Sequence, residues 1–205
     1  MTDLFALLQV ERRPNLDADR LKQQFLALST PVHPDKIHSA PPAEKAAAAT
    51  AFAALNTAHS TLTDPKARLG HLLELERGEK PLDIQTIPAG LADLFAEVAN
   101  LCRATDDFLT ERSRATSPLV QVQYFARSEE WADKLTVLQG KLAGLSTQLA
   151  TRLETLDARW LAAAPEARAG QYPALEELYR LFSYFNRWHA QLQERLTQLS
   201  QFPLP

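Results

Sequence analysis

His33-Pro34-Asp35-Lys36 sits between two segments of helical periodicity, and the fold follows from how those segments flank it. Before it, Asp17 to Leu28 places Leu21, Phe25 and Leu28 at three-and-four spacing, on one helical face. After it, Ala43 to Leu62 repeats the pattern with Ala47, Ala51, Leu55, Ala58 and Leu62. Pro31, Pro34, Pro41 and Pro42 exclude helix between the two, because proline lacks an N–H and restricts the residue before it. The pattern predicts an antiparallel helical hairpin with a short charged loop at its tip. Such a loop adds little to a core, and loops held by rigid elements are where binding residues concentrate.

Outward from the hairpin, the rest of the chain reads as helix too. Ala, Leu, Gln, Glu and Arg, all strong helix formers, dominate. No alternating strand pattern and no Asn-Gly hairpin turn occurs. The fold class is all-α. With 205 residues the chain is long enough to bury a real core in one or two domains. Apolar residues make up 45% and charged residues 23%, which argues against global disorder. A net charge of −3 offers no basic footprint for nucleic acid. No apolar run approaches the roughly 20 residues that span a bilayer, so no membrane partner is expected. The start Met1-Thr2-Asp3-Leu4 lacks the basic and long apolar regions of a secretory signal, and the expected compartment is the cytoplasm. The single cysteine, Cys102, permits no internal disulfide and no cysteine zinc site.

In chain order, residues 3–10 predict a short helix with Leu4, Leu7 and Leu8 inward, broken by Arg12-Arg13-Pro14-Asn15. Asp17 is placed to cap the next helix, since its carboxylate can accept from first-turn N–H groups. Pro31 ends that helix, and Pro42 suits the first turn of the following one. Thr63-Asp64-Pro65 starts a fourth helix bearing Leu69, Leu72, Leu73 and Leu75, with Gly78 as its C-cap. Residues 78–88 lack apolar periodicity and read as a linker between domains at 1–77 and 89–205.

The second half predicts three helices joined by short turns, hence a three-helix bundle. Its stripes are Leu91, Leu94, Phe95, Val98, Leu101 and Cys102; then Leu135 through Leu138, Leu142, Leu145, Leu149, Leu153 and Leu156 to Trp160; then Leu175, Leu178, Phe182, Phe185, His189, Leu192, Leu196 and Leu199. Gly140 and Gly144 weaken the middle helix locally.

The loop and its flanks resemble the J-domain, the module that docks on DnaK-type ATPase chaperones. Asp3-Leu4-Phe5-Ala6-Leu7-Leu8-Gln9-Val10 is similar to that family's first helix. Asn56 to Pro65, followed by Arg68, is similar to the end of its third helix and the turn after it. With a helical bundle following directly, the whole chain resembles the HscB-type co-chaperones of iron–sulfur cluster assembly. The resemblance implies docking through His33, Pro34, Asp35 and Lys36, with Arg20 and Lys22 on the second helix meeting an acidic chaperone surface. In that role Pro34 fixes the backbone, Asp35 can accept a charge-assisted hydrogen bond from a partner Arg, and His33 supplies a donor. ATP hydrolysis would then belong to the partner, a DnaK- or HscA-type chaperone.

The resemblance also implies that an IscU-type scaffold binds an apolar patch on the first bundle helix: Leu94, Phe95 and Val98, with Glu97 for charge and Leu181 from the last helix. Two departures from the family stand in the sequence. The second helix is thinly basic and ends in Thr30-Pro31, and Asn100, Cys102 and Ala104 replace expected acids.

Each feature has a plainer reading beside it. His-Pro-Asp alone is a prolyl turn whose Asp caps a helix. An apolar stripe at helical spacing is core more often than contact surface. His38, His59 and His71 lie on separate elements without a carboxylate or cysteine at ligand spacing, so no metal or cofactor is expected. Glu129-Glu130 and Glu176-Glu177 diverge on their helices, and neither a phosphate loop nor a nucleophile motif occurs, so the chain does not read as an enzyme. Two alternatives stay open: a J-protein presenting another client, and a helical interaction protein whose chaperone coupling has weakened.

Overall fold

The computed structural model describes residues 2–81, 90–115 and 118–201, with side chains from residue 122 onward in the last segment. It is helical, without a strand among the described residues. The helices are α1 (Leu4–Leu7), α2 (Ala18–Ser29), α3 (Pro42–Thr63), α4 (Pro65–Arg77), α5 (Ala92–Ser113), α6 (Pro118–Ala162) and α7 (Tyr172–Ser200). Short 3-10 turns cover Thr30–Val32 and Pro165–Gln171.

The helix ends follow from local chemistry. Asp3 accepts from the N–H groups of Phe5 and Ala6, Asp17 from Arg20 N–H, and Asp64 from Ala67 N–H. Pro42 and Pro65 occupy first turns, where a missing N–H costs nothing. Gly78 ends α4 in the left-handed region at φ 80°, and its N–H donates to the Glu74 carbonyl. Of the expected linker, residues 82–88 lie outside the described residues.

The chain divides into two compact units, and the division runs through α6 and α7 rather than at residues 78–88 alone. One unit is Met1–Asp83 with Ala150–Arg180; the other is Ile84–Leu149 with Leu181–Pro205. In the first, Leu21, Leu55, Ala58, Leu62, Leu69, Leu72 and Leu73 form the core between α2, α3 and α4. Two expectations shift here. In α1 the fully buried residue is Phe5, joined by Leu8 just after the helix, whereas Leu4 and Leu7 are only half-buried. In α3, Ala47 and Ala51 are exposed, because the first turns of that helix run beyond the packed core.

Polar clamps complete this unit. Arg68 is buried, and its guanidinium donates to the carbonyls of Pro14 (2.7 Å) and Leu62 (2.6 Å). Burial lowers its pKa to about 10, which still leaves it charged at neutral pH. Asp157 in α6 is also buried; it accepts from Arg13 through Nε and Nη2 and from the Asn15 N–H (3.0 Å). Trp160 Nε1 donates to the Arg12 carbonyl (3.1 Å), and Arg77 of α4 pairs with Glu176 of α7. These bonds explain why the ends of α6 and α7 belong with the N-terminal helices.

In the second unit, Glu97 of α5 pairs with Lys141 of α6, and Glu111 with Arg127, so α5 and α6 run antiparallel. Arg195 of α7 donates to the Cys102 carbonyl and to Asp106, while Arg112 donates to the Gln198 and Leu199 carbonyls near the end of α7. The result is an up-down-up three-helix bundle around Val98, Phe108, Leu135, Leu138, Leu142, Phe185 and Leu192. Tyr184 and Trp188 are buried as well, which makes the stripe of α7 broader than a heptad seam.

Candidate functional site

The loop after α2 is built by short-range bonds. His33 precedes a proline and takes the extended conformation that this enforces, φ −65° and ψ 136°. Pro34 then occupies the second position of a turn closed by the Lys36 N–H donating to the His33 carbonyl at 2.9 Å. Ile37 N–H donates to the Pro34 carbonyl and Ala40 N–H to the Ile37 carbonyl, at 3.3 and 3.0 Å.

Side chains fix the turn further. The Asp35 N–H donates to His33 Nδ1 (3.2 Å), and His38 Nδ1 donates to the Asp35 carbonyl (3.0 Å). The His33 ring stands edge-on to Phe52 of α3, with centroids 5.1 Å apart. Because Nδ1 accepts, the ring proton sits on Nε2. The Asp35 carboxylate lies 3.6 Å from Nδ1, yet its side chain is 88% exposed against 44% for His33. The loop therefore holds its backbone rigidly while presenting an unsheathed carboxylate and a half-exposed imidazole N–H. Lys36 is exposed beside them.

Arg20 and Lys22 are exposed on α2, in its first two turns. Reading the sequence alone missed two supports: Phe52, an aromatic off the α3 stripe, and His38, which pins the backbone of Asp35. Both signals were present, as residues lacking a role in any periodic face.

The bundle residues separate by burial. Leu94, Val98 and Leu181 are buried in the core of their unit, as the plainer reading of a helical stripe has it. Phe95 is 40% exposed on α5, and Glu97 nearby is held by Lys141. No group of three or more His, Cys, Asp or Glu residues that could hold a metal occurs among the described residues.

The DnaJ domain family model matches residues 3–70, which contain the whole loop and its supports. The co-chaperone HscB homologue of Neisseria meningitidis serogroup C is 34% identical over 74 residues, 36% of this chain and 45% of that protein. The chain thus spans less than half of that relative. The HscB homologue of Vibrio cholerae is 30% identical over 158 residues, 75% of this chain and 80% of that protein. The chain belongs to the HscB co-chaperone family. Its fold is similar to the crystal structure of human co-chaperone HscB, with a TM-score of 0.60 at 15% identity over 95% of this chain and 82% of that one. This HscB-family chain therefore carries its J-domain first and its helical bundle after it. Among its described residues no helix is long and apolar enough to cross a membrane.

Proposed function

We propose that this chain docks on a DnaK- or HscA-type ATPase chaperone through His33, Pro34, Asp35 and Lys36, stimulates its ATP hydrolysis and delivers a client, an IscU-type iron–sulfur scaffold. The observation that carries the docking half is the loop itself: a bonded, proline-fixed turn that leaves the Asp35 carboxylate 88% exposed. An exposed carboxylate held in fixed register suits a bidentate bond from a partner Arg. Arg20 and Lys22 add complementary charge for encounter and register. The chain itself is not an enzyme in this reading, and it acts in the cytoplasm.

For the client, Phe95 is the exposed contact, with Glu97 beside it. Leu94, Val98 and Leu181 act from the core by fixing the helix that presents it. Calorimetry tests both halves. Arg20→Glu with Lys22→Glu should weaken chaperone binding, and Phe95→Ala should weaken scaffold binding about tenfold, the loss of a mid-sized aromatic anchor, with the melting temperature unchanged. Absence of scaffold binding by the wild type removes IscU and points to another client. Absence of chaperone binding by the wild type overturns the proposal.

A further inference from the structure

Asp35 sits in its loop without a backbone partner of its own. The turns around it use the His33 and Pro34 carbonyls and the Lys36 and Ile37 N–H groups. Neither the Asp35 N–H nor the Asp35 carbonyl takes a backbone–backbone bond among the described residues. Two imidazoles supply what is missing. His33 Nδ1 accepts from the Asp35 N–H at 3.2 Å, and the Asp35 carbonyl accepts from His38 Nδ1 at 3.0 Å. A carbonyl can only accept, so His38 carries its proton on Nδ1, the opposite tautomer to His33. The two rings differ in what else they do. The His33 ring also packs on Phe52, whereas His38 is exposed and adds nothing to a core.

We propose that His38 is a positioning residue for chaperone docking: its Nδ1–H holds the Asp35–Lys36 peptide and so fixes the direction of the Asp35 carboxylate. This rests on the docking reading above. The proline ring fixes the backbone ahead of Asp35. Behind it, the orientation of the Asp35 carbonyl sets ψ, and His38 is the group bonded to that carbonyl. The carboxylate, 88% exposed, points where this backbone sends it. A charge-assisted bond to a partner guanidinium is directional. A backbone that wanders at Asp35 must be ordered on docking, and the entropy of fixing one residue is then subtracted from affinity. With His38 in place, that ordering is already done in the free chain.

Nitrogen NMR of the imidazoles in the full chain, at about pH 8.5 and so alkaline of the ordinary imidazole titration near 6.5, should show His38 protonated on Nδ1 and His33 on Nε2. His38 protonated on Nε2 instead overturns the inference. In an ATPase assay with a purified DnaK-type chaperone, His38→Ala should raise the half-stimulating concentration about tenfold, equivalent to about 1.4 kcal/mol, with the plateau and melting temperature unchanged. His38→Asn, whose amide nitrogen stands where Nδ1 does, should return it to within about twofold of the wild type. His38→Gln carries the amide one carbon farther out and should not. An alanine effect below about threefold, or rescue by Gln rather than Asn, overturns the inference and leaves docking through the loop intact. In the free chain, His38→Ala should lower the order parameter of the Lys36 amide, and His38→Asn should not. A fall in stimulation without that loosening means that His38 touches the chaperone directly, which also overturns the positioning role. No stimulation by the wild type overturns the docking reading, and this role for His38 with it, whichever tautomer the spectra show.

Discussion

Arg68 shows how much one residue holds. Its buried guanidinium satisfies the carbonyls of Pro14 and Leu62, tying the chain before α2 to the end of α3. Arg68→Leu strands both acceptors in the core and should cost about 2–4 kcal/mol of unfolding free energy, from about 1–3 kcal/mol for each buried group left unpaired. Denaturant titration measures it, and a loss below about 1 kcal/mol would mean that water replaces the guanidinium. Asp157 is the parallel case. It interrupts the stripe between Leu156 and Trp160, and the sequence offered that as its only signal: an acid among apolar residues. Asp157→Asn keeps the shape but loses the charge-assisted bonds to Arg13, and should cost about 1–3 kcal/mol in the same titration.

Among elements, α1 is the one most exposed to solution conditions. With only four helical residues it cannot stand alone, and it is fixed by Phe5 in the core and by Leu4 N–H donating to His71 Nε2 at 3.0 Å. His71 lies on α4, stacked on Phe5, and must be neutral to accept this bond. Burial holds its pKa below the ordinary value of 6.5, against the pull of Asp3 and Glu74 and with a small push from Arg12. The unfolded chain therefore binds the proton more readily. The stability from this contact is complete above about pH 6.5 and is lost as pH falls from there toward the lower folded value. Unfolding free energy should decline over that window, and His71→Leu should flatten the decline; an unchanged slope would contradict the assignment.

Glycines give a second contrast between elements. A Cβ on Gly140 or Gly144 meets nothing within 4 Å, so Gly→Ala at either should raise stability by about 0.5–1 kcal/mol through helix propensity alone. At Gly70 a Cβ lies 3.0 Å from the Tyr179 ring, and Gly70→Val should instead destabilise by about 1–3 kcal/mol. Thermal melts of the three variants decide both signs. Helix ends marked by Pro31, Pro42, Pro65 and Gly78 were legible, because these are local instructions that tertiary packing does not override; the end of α1 was not, since residues 3–10 read as helix and it stops at Leu7. Helix faces were legible only in part. Periodicity placed Leu21, Leu62 and Leu142 correctly, but it cannot tell which end of a stripe runs past the core, as at Ala47. Nor can it tell which apolar residue of a broad stripe is left outside, as Phe95 is.

At the scale of the molecule, sequence order misleads about cohesion. The apolar gap after α4 suggests separable halves, yet Asp157, Trp160 and Glu176 return from α6 and α7 to the N-terminal helices. These are polar contacts between residues roughly 100 to 148 positions apart, and no periodic pattern announces them. A specific protease site placed at residues 79–80 should therefore yield a nicked protein whose residues 1–77 still co-elute with the remainder. Separation on gel filtration would show that these clamps do not suffice. The loop was legible from the start, since His33-Pro34-Asp35 is defined by its own turn chemistry. Its proposed role is what that turn does to a partner. Single-turnover ATP hydrolysis by a DnaK-type chaperone should accelerate on adding the full chain and should lose that acceleration with Asp35→Asn, which keeps the turn and removes the charge; acceleration that survives Asp35→Asn would contradict it.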